Sequence, residues 1–183
     1  MCASVGLLEK GEEMKLQLVK LEKKYEPLLI DMMEEWYQTG ERIVPYAIRK
    51  ADYRDFETYL ESIEVKEDTE EAVKDSTFFV LDKERNRFVG AVNIRHRLNE
   101  KLFLSGGHIG DGVRPSERRK GYATEIIRLA LLECKKLGLT KVLMVCDKDN
   151  IGSAKSIQNN GGVLENEILE DGVLEQRYWI DIS

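Results

Sequence analysis

Val113-Arg114-Pro115-Ser116-Glu117-Arg118-Arg119-Lys120-Gly121-Tyr122-Ala123-Thr124 runs from a Gly-rich β segment, through a basic loop, into the first turn of an amphipathic helix. A helix's first turn leaves backbone N–H groups without intrahelical acceptors, and the helix dipole places partial positive charge there. Small residues at Gly121 and Ala123 let an anion approach these groups, so the stretch reads as a cradle for phosphate oxygens. Arg114, Arg118, Arg119 and Lys120 concentrate positive charge around it. No Gly-Lys-Ser/Thr stands at the spacing of a Walker loop. Pro115 takes the third position of a dinucleotide fingerprint, which excludes that motif too. A basic turn with an ordinary helix cap is the plain alternative.

Upstream, residues 107–113 form a β run with glycines at 106, 107, 110 and 112, and interior glycine in a strand signals a bulge or the close approach of a backbone or ligand. Downstream, Ala123, Ile126, Ile127, Ala130, Leu131, Cys134 and Leu137 make one helical stripe that Gly138 closes. Residues 141–146 are a continuous apolar run, the pattern of a strand covered on both faces in a parallel arrangement. Together these segments predict a βαβ unit over 107–146. Asn150 then caps a short helix to Asn159, stopped by Gly161-Gly162. Asp171-Gly172 joins two alternating runs, 163–169 and 173–182, in a hairpin.

On the N-terminal side, Lys15-Leu16-Gln17-Leu18-Val19-Lys20-Leu21 alternates as a half-buried strand. Apolar spacing from Tyr25 to Tyr37 predicts a helix ended by Gly40, and Tyr53 to Ile63 predicts a second starting near Asp52. The acidic run 67–71 reads as a solvated loop. Residues 78–81 and 88–98 read as strands of a meander. Residues 1–13 are expected to be a disordered leader or an alternative start, with one domain over 14–183.

The chain has 183 residues, 42% of them hydrophobic, and a net charge of -6. One compact domain is the expectation at this length. The acidic balance argues against sequence-independent nucleic-acid binding. No window is long and apolar enough for a transmembrane helix, and no secretory signal is legible at the start. The expected location is therefore the cytoplasm, without membrane or nucleic-acid partners. Cys2, Cys134 and Cys146 match neither a disulfide framework nor a zinc site and read as reduced thiols. No metal site is expected.

In Arg118, Gly121 and Ala123 the loop resembles the pyrophosphate loop of the GNAT superfamily of acyl-CoA-dependent N-acetyltransferases, in its bacterial type. Val113-Arg114-Pro115 matches the segment before that loop, and Asn150 with Ser153 resembles the pair near the pantetheine arm. The order of elements from Leu16 to Ile182 also fits. The resemblance implies an α/β fold: a mixed, mostly antiparallel sheet with helices on both faces and a splayed parallel strand pair. It implies acetyl-CoA as cosubstrate, with pyrophosphate on the N–H groups of Arg119, Lys120, Gly121, Tyr122, Ala123 and Thr124. Val113's N–H would face the thioester carbonyl and stabilise the charge that develops there.

The acceptor would be a primary amine of a small molecule or peptide, attacking directly, so the cysteines are not the expected nucleophiles. A second copy of the chain is a candidate partner. Where the family often carries a Tyr, this sequence has Ile157, and where many members carry a Glu, it has Gly107 beside His108. His108 is the first candidate for general base and Asp111 the second. A catalytically silent CoA-binding regulatory module is the rival reading. Trp36, Tyr37, Tyr46, Tyr53, Glu34 and Glu35 are candidates for an amine pocket, against the commoner role of helical aromatics as core.

Overall fold

The computed structural model describes residues 16–183. The expected leader, residues 1–13, and the alternative start at Met14 lie outside the described residues. Seven strands form two sheets. β1 (Leu16–Val19), β2 (Asp75–Asp82), β3 (Arg87–Arg95) and β4 (Ile109–Val113) lie in that order in the first. β5 (Lys141–Asp147), β6 (Val163–Glu170) and β7 (Val173–Asp181) form the second, in the order β5-β7-β6. Every ladder is antiparallel. β4 and β5 meet where His108 and Leu143 exchange hydrogen bonds, and they share no ladder beyond that point.

Helices cover both faces, as their apolar stripes require. α1 (Glu26–Gln38) starts with Pro27 in its first turn and packs Leu29, Met32, Met33 and Trp36 on Phe79, Phe88 and Ala91. α2 (Phe56–Ser62) joins the same cluster through Phe56 and Tyr59. On the opposite face α4 (Tyr122–Lys136) buries Ile126, Ile127, Ala130 and Cys134 against Val92, Ile94 and Ile109. α5 (Ile151–Asn159) adds Ala154 and Ile157 to that core. Gly40, Gly138 and Gly161 follow their helices at positive φ, where a side chain would be strained. Asp171 and Gly172, both at positive φ, make the hairpin turn their sequence predicts.

Four local expectations are corrected. α2 begins at Phe56 because Asp55 caps it, its carboxylate accepting from the Thr58 N–H at 3.3 Å. β3 ends at Arg95 rather than 98, and residues 100–104 form α3 (Glu100–Leu104), capped by Asn99. The pairing of β4 with β3 is regular, and the register shift lies instead between β2 and β3. The glycines in and just before β4 serve close backbone approach: a Cβ at Gly112 would overlap the carbonyl of Val44, and one at Gly107 that of Leu143. The apolar β5 run is the fourth correction, since its ladder is antiparallel to β7.

Candidate active site

Beyond His108 and Leu143, β4 and β5 diverge, and a cleft of about 540 Å³ opens between them. That volume lies in the usual range for a small-molecule site. Asp111, Gly112 and Val113 of β4 form one wall, Asn150, Gly152, Ser153 and Ser156 at the start of α5 the other, and Val44 crosses over it. The loop before α4 closes the end with Glu117, Arg118, Arg119, Gly121, Tyr122 and Ala123. The cleft thus brings together Asp111, Val113, Arg118, Arg119, Gly121, Tyr122, Ala123, Asn150 and Ser153 from the sequence-derived set. His108, Lys120 and Thr124 do not line it. Val44, Gly112, Glu117, Gly152 and Ser156 were not anticipated.

The ladder fixes which way β4 points its N–H groups. Arg95 donates to the His108 carbonyl and Arg114 to the Val89 carbonyl, so even-numbered residues of β4 face β3. The N–H groups of Asp111 and Val113 therefore point away from β3, toward the cleft. At the loop, Arg119 and Gly121 both adopt positive φ, 62° and 81°, which turns the chain sharply into α4. The N–H groups of residues 119–124 donate to no carbonyl or side chain among the described residues. Six such donors at the positive end of a helix fit a pyrophosphate, and no side chain at Gly121 stands in the way.

The cations around the loop divide sharply. Arg114 points inward, 2% exposed, where its Nη1 donates to Asp31 at 2.7 Å and its Nε to Glu35 at 2.5 Å. Glu35 also accepts from the Ser116 N–H at 2.9 Å, so α1 anchors the loop from beneath. Glu117, 1% exposed, pairs with Arg85, Arg87 and Lys120 at 2.9, 3.0 and 3.0 Å. Arg118 reaches Glu41 at 2.6 Å and the Val113 carbonyl at 3.3 Å. Arg119 makes no ion pair among the described residues. The expected cluster of four free cations is thus largely a scaffold, and backbone donors with Arg119 supply the open positive charge.

Asp111 is half-buried in the cleft, and burial pushes its carboxyl up to about 6. Cys146, nearby at the end of β5, has its thiol pushed up first by burial and further by Asp147, Asp111 and Glu175. It is held as a thiol. His108 is buried, and its Nδ1 accepts from the Leu143 N–H at 2.9 Å. Burial, with a smaller contribution from Arg95, holds its pKa down to about 4. Asn150 caps α5 through its Oδ1, accepting from the Ser153 N–H at 3.1 Å. Ile157 is fully buried core. Of the candidate amine-pocket residues, Trp36 and Tyr53 are buried, Glu34 bonds Tyr53 and Arg54, Glu35 anchors the loop, and Tyr37 and Tyr46 are exposed. Among the described residues no His, Cys, Asp and Glu cluster could hold a metal, and no helix is long and apolar enough to cross a membrane.

The family model for an acetyltransferase (GNAT) domain matches residues 15–163. The chain belongs to the GNAT acetyltransferases. These enzymes take their acetyl group from acetyl-CoA. Comparison with curated proteins by sequence gives no match. Among solved structures the GNAT fold recurs in the microcin C7 self-immunity acetyltransferase MccE, in complex with acetyl-CoA and AMP, at 18% identity, TM-score 0.67, covering 93% of this chain and 94% of that one. It recurs in a chimera of the Vibrio cholerae spermidine N-acetyltransferase SpeG and hSSAT, at 19% identity, TM-score 0.63, covering 91% and 95%. A GNAT-family acetyltransferase from Bacillus anthracis matches at 18% identity, TM-score 0.61, over 91% and 95%.

Proposed function

We propose that this GNAT protein is an N-acetyltransferase that moves the acetyl group of acetyl-CoA to a primary amine of a small molecule or peptide by direct attack. The observation that supports it most is the continuity of the cleft, from unpartnered N–H groups at 119–124 to the N–H of Val113 and the carboxyl of Asp111. Diphosphate would rest at the α4 end. The pantetheine arm would run between β4 and α5, past Asn150 and Ser153.

Within this reading Val113's N–H donates to the thioester carbonyl oxygen as negative charge grows there, a contribution of roughly 3 to 4 kcal/mol in other acyl transfers. Asp111 takes the amine proton. A carboxyl near 6 is about two units more basic than an ordinary aspartate and still ionised at neutral pH. His108 is the weaker candidate for this step. Its ring lies outside the cleft, and its Nδ1 lone pair is already used at the sheet junction. Cys146 stays protonated beside three carboxylates, which supports direct attack over an acyl-enzyme. A thiolate leaving group near 8.5 departs with little help, so Ile157 in place of a Tyr is tolerable. The buried free thiols Cys134 and Cys146 fit the reducing cytoplasm.

The test is thiol release from acetyl-CoA with a broad panel of primary amines. The reading expects at least one amine to give release above hydrolysis, lost in D111N. Acetyl-CoA binding without release for any amine favours the silent CoA-binding module instead.

A further inference from the structure

Residues 40–44, which leave the end of α1, cross the cleft and are fixed to it at two points. At one, Glu41 Oε2 accepts from Nη1 of Arg118 at 2.6 Å. At the other, the Val44 carbonyl lies so close to Gly112 that a Cβ there would stand 2.1 Å from its oxygen. The second contact is backbone against backbone. The first is a single ion pair between side chains 49% and 40% exposed, the weaker kind of attachment.

Arg118 lines the cleft and directly precedes the unpartnered N–H groups of 119–124. Its Nε also donates to the Val113 carbonyl at 3.3 Å. In an extended strand a residue's N–H and C=O point the same way, so this carbonyl faces the cleft beside the Val113 N–H. One guanidinium therefore joins the crossing segment to the edge of β4 that the pantetheine arm would pair with. Its neighbours in the loop are held differently. Arg114 is buried on Asp31 and Glu35, and Lys120 rests on Glu117, which is itself buried. Arg118 has only the exposed Glu41 for a carboxylate partner. A diphosphate seated at the start of α4 carries more charge than one carboxylate and offers oxygens that suit the guanidinium fork.

Resting on the placement of acetyl-CoA given above, we propose that Glu41 competes with the diphosphate of acetyl-CoA for Arg118, and that the Glu41–Arg118–Val113 chain of contacts is a latch which the cosubstrate releases. As Arg118 turns to the diphosphate it leaves the Val113 carbonyl to the arm's amide. Residues 40–44 then keep only the Val44 contact, and the crossing segment loosens for the acceptor. Acetyl-CoA binds first and the acceptor second.

The experiment measures acetyl-CoA affinity calorimetrically for the full-length wild type, E41Q, R118Q and E41Q/R118Q. E41Q should bind about two- to fivefold tighter, the worth of an exposed ion pair that no longer has to be broken. R118Q should bind more weakly than wild type. The double variant should match R118Q, because Glu41 acts through Arg118. Tryptic cleavage after Arg42, inside the crossing segment, should be faster with acetyl-CoA in wild type and already fast in E41Q. An E41Q gain that persists in the R118Q background means plain repulsion between Glu41 and the ligand and overturns the latch. So does wild-type binding with no gain in E41Q, an R118Q protein that binds tighter than wild type, or slower cleavage after Arg42 with acetyl-CoA. If none of the four proteins binds acetyl-CoA, the placement of the cosubstrate fails and the latch fails with it.

Discussion

The N–H of Leu143 donates to Nδ1 of His108 at 2.9 Å while the Leu143 carbonyl accepts from the His108 N–H at 2.8 Å, so one histidine supplies both sides of a rung between the two sheets. This joint holds β4 and β5 together at one end and sets where they begin to part. An imidazolium cannot accept at Nδ1, which ties the joint to pH. The folded pKa, near 4, lies below the unfolded value of about 6.5. The contribution is therefore fully present above about pH 6.5 and lost as pH falls through 4, at most about 3 kcal/mol. Because Asp111 titrates with the opposite sign over the same range, the loss should show in a melting series from pH 7 to 4 on D111N, and adding H108A should remove that part of the pH dependence.

H108A should also cost about 1–3 kcal/mol at neutral pH, because the Leu143 N–H is left buried without an acceptor. H108N can present an amide oxygen at the same place and should recover part of that. If H108A kept the wild-type melting temperature yet changed the pH profile of turnover, His108 would be a base after all.

Asp111 carries the opposite sign. Its folded pKa of about 6 exceeds an unfolded value near 3.9, so ionisation opposes folding. The penalty sets in between pH 4 and 6 and is complete above 6, up to about 3 kcal/mol. D111N should therefore melt higher than wild type at pH 7.5, by several degrees at 2 to 4 °C per kcal/mol, while turnover falls at least a hundredfold. In wild type, kcat/KM should rise through an apparent pKa near 6. A D111N protein that keeps full turnover removes the base assignment.

Arg114 and Arg118 are four residues apart and should behave differently. R114M takes the buried guanidinium from Asp31 and Glu35, which keep Arg87 at 3.7 and 3.0 Å, and should cost about 1.5–3 kcal/mol in a denaturant titration. E41A breaks an exposed pair with Arg118 and should cost below about 1 kcal/mol. Equal costs would mean that the loop is not anchored from α1.

The periodic elements were legible because each repeats one physical choice many times. The α4 stripe, the Asp171-Gly172 turn and the Gly-ended helices stand as their residues predict. α3 was missed because five residues give too little periodicity, and its one clear signal, the Asn99 cap, follows a β-rich run. The glycines at 107 and 112 announced close approach, but only the fold shows that Leu143 and Val44 are what approaches. The cleft residues within 111–123 and 150–153 are local in sequence and were readable. The fates of Arg114 and Glu117 were not, since their partners lie 79 and 32 residues away.

The central claim is that the N–H groups of residues 119–124 hold the diphosphate of acetyl-CoA, and thermal melting with and without the ligand tests it most directly. At about 100 times its dissociation constant, acetyl-CoA should stabilise the wild type by about 2.7 kcal/mol, a rise of roughly 5 to 11 °C. G121V should lose that rise, because a branched residue is strained at φ 81° and crowds the donors. An unchanged melting temperature at saturating acetyl-CoA, or a full rise retained in folded G121V, would contradict the account.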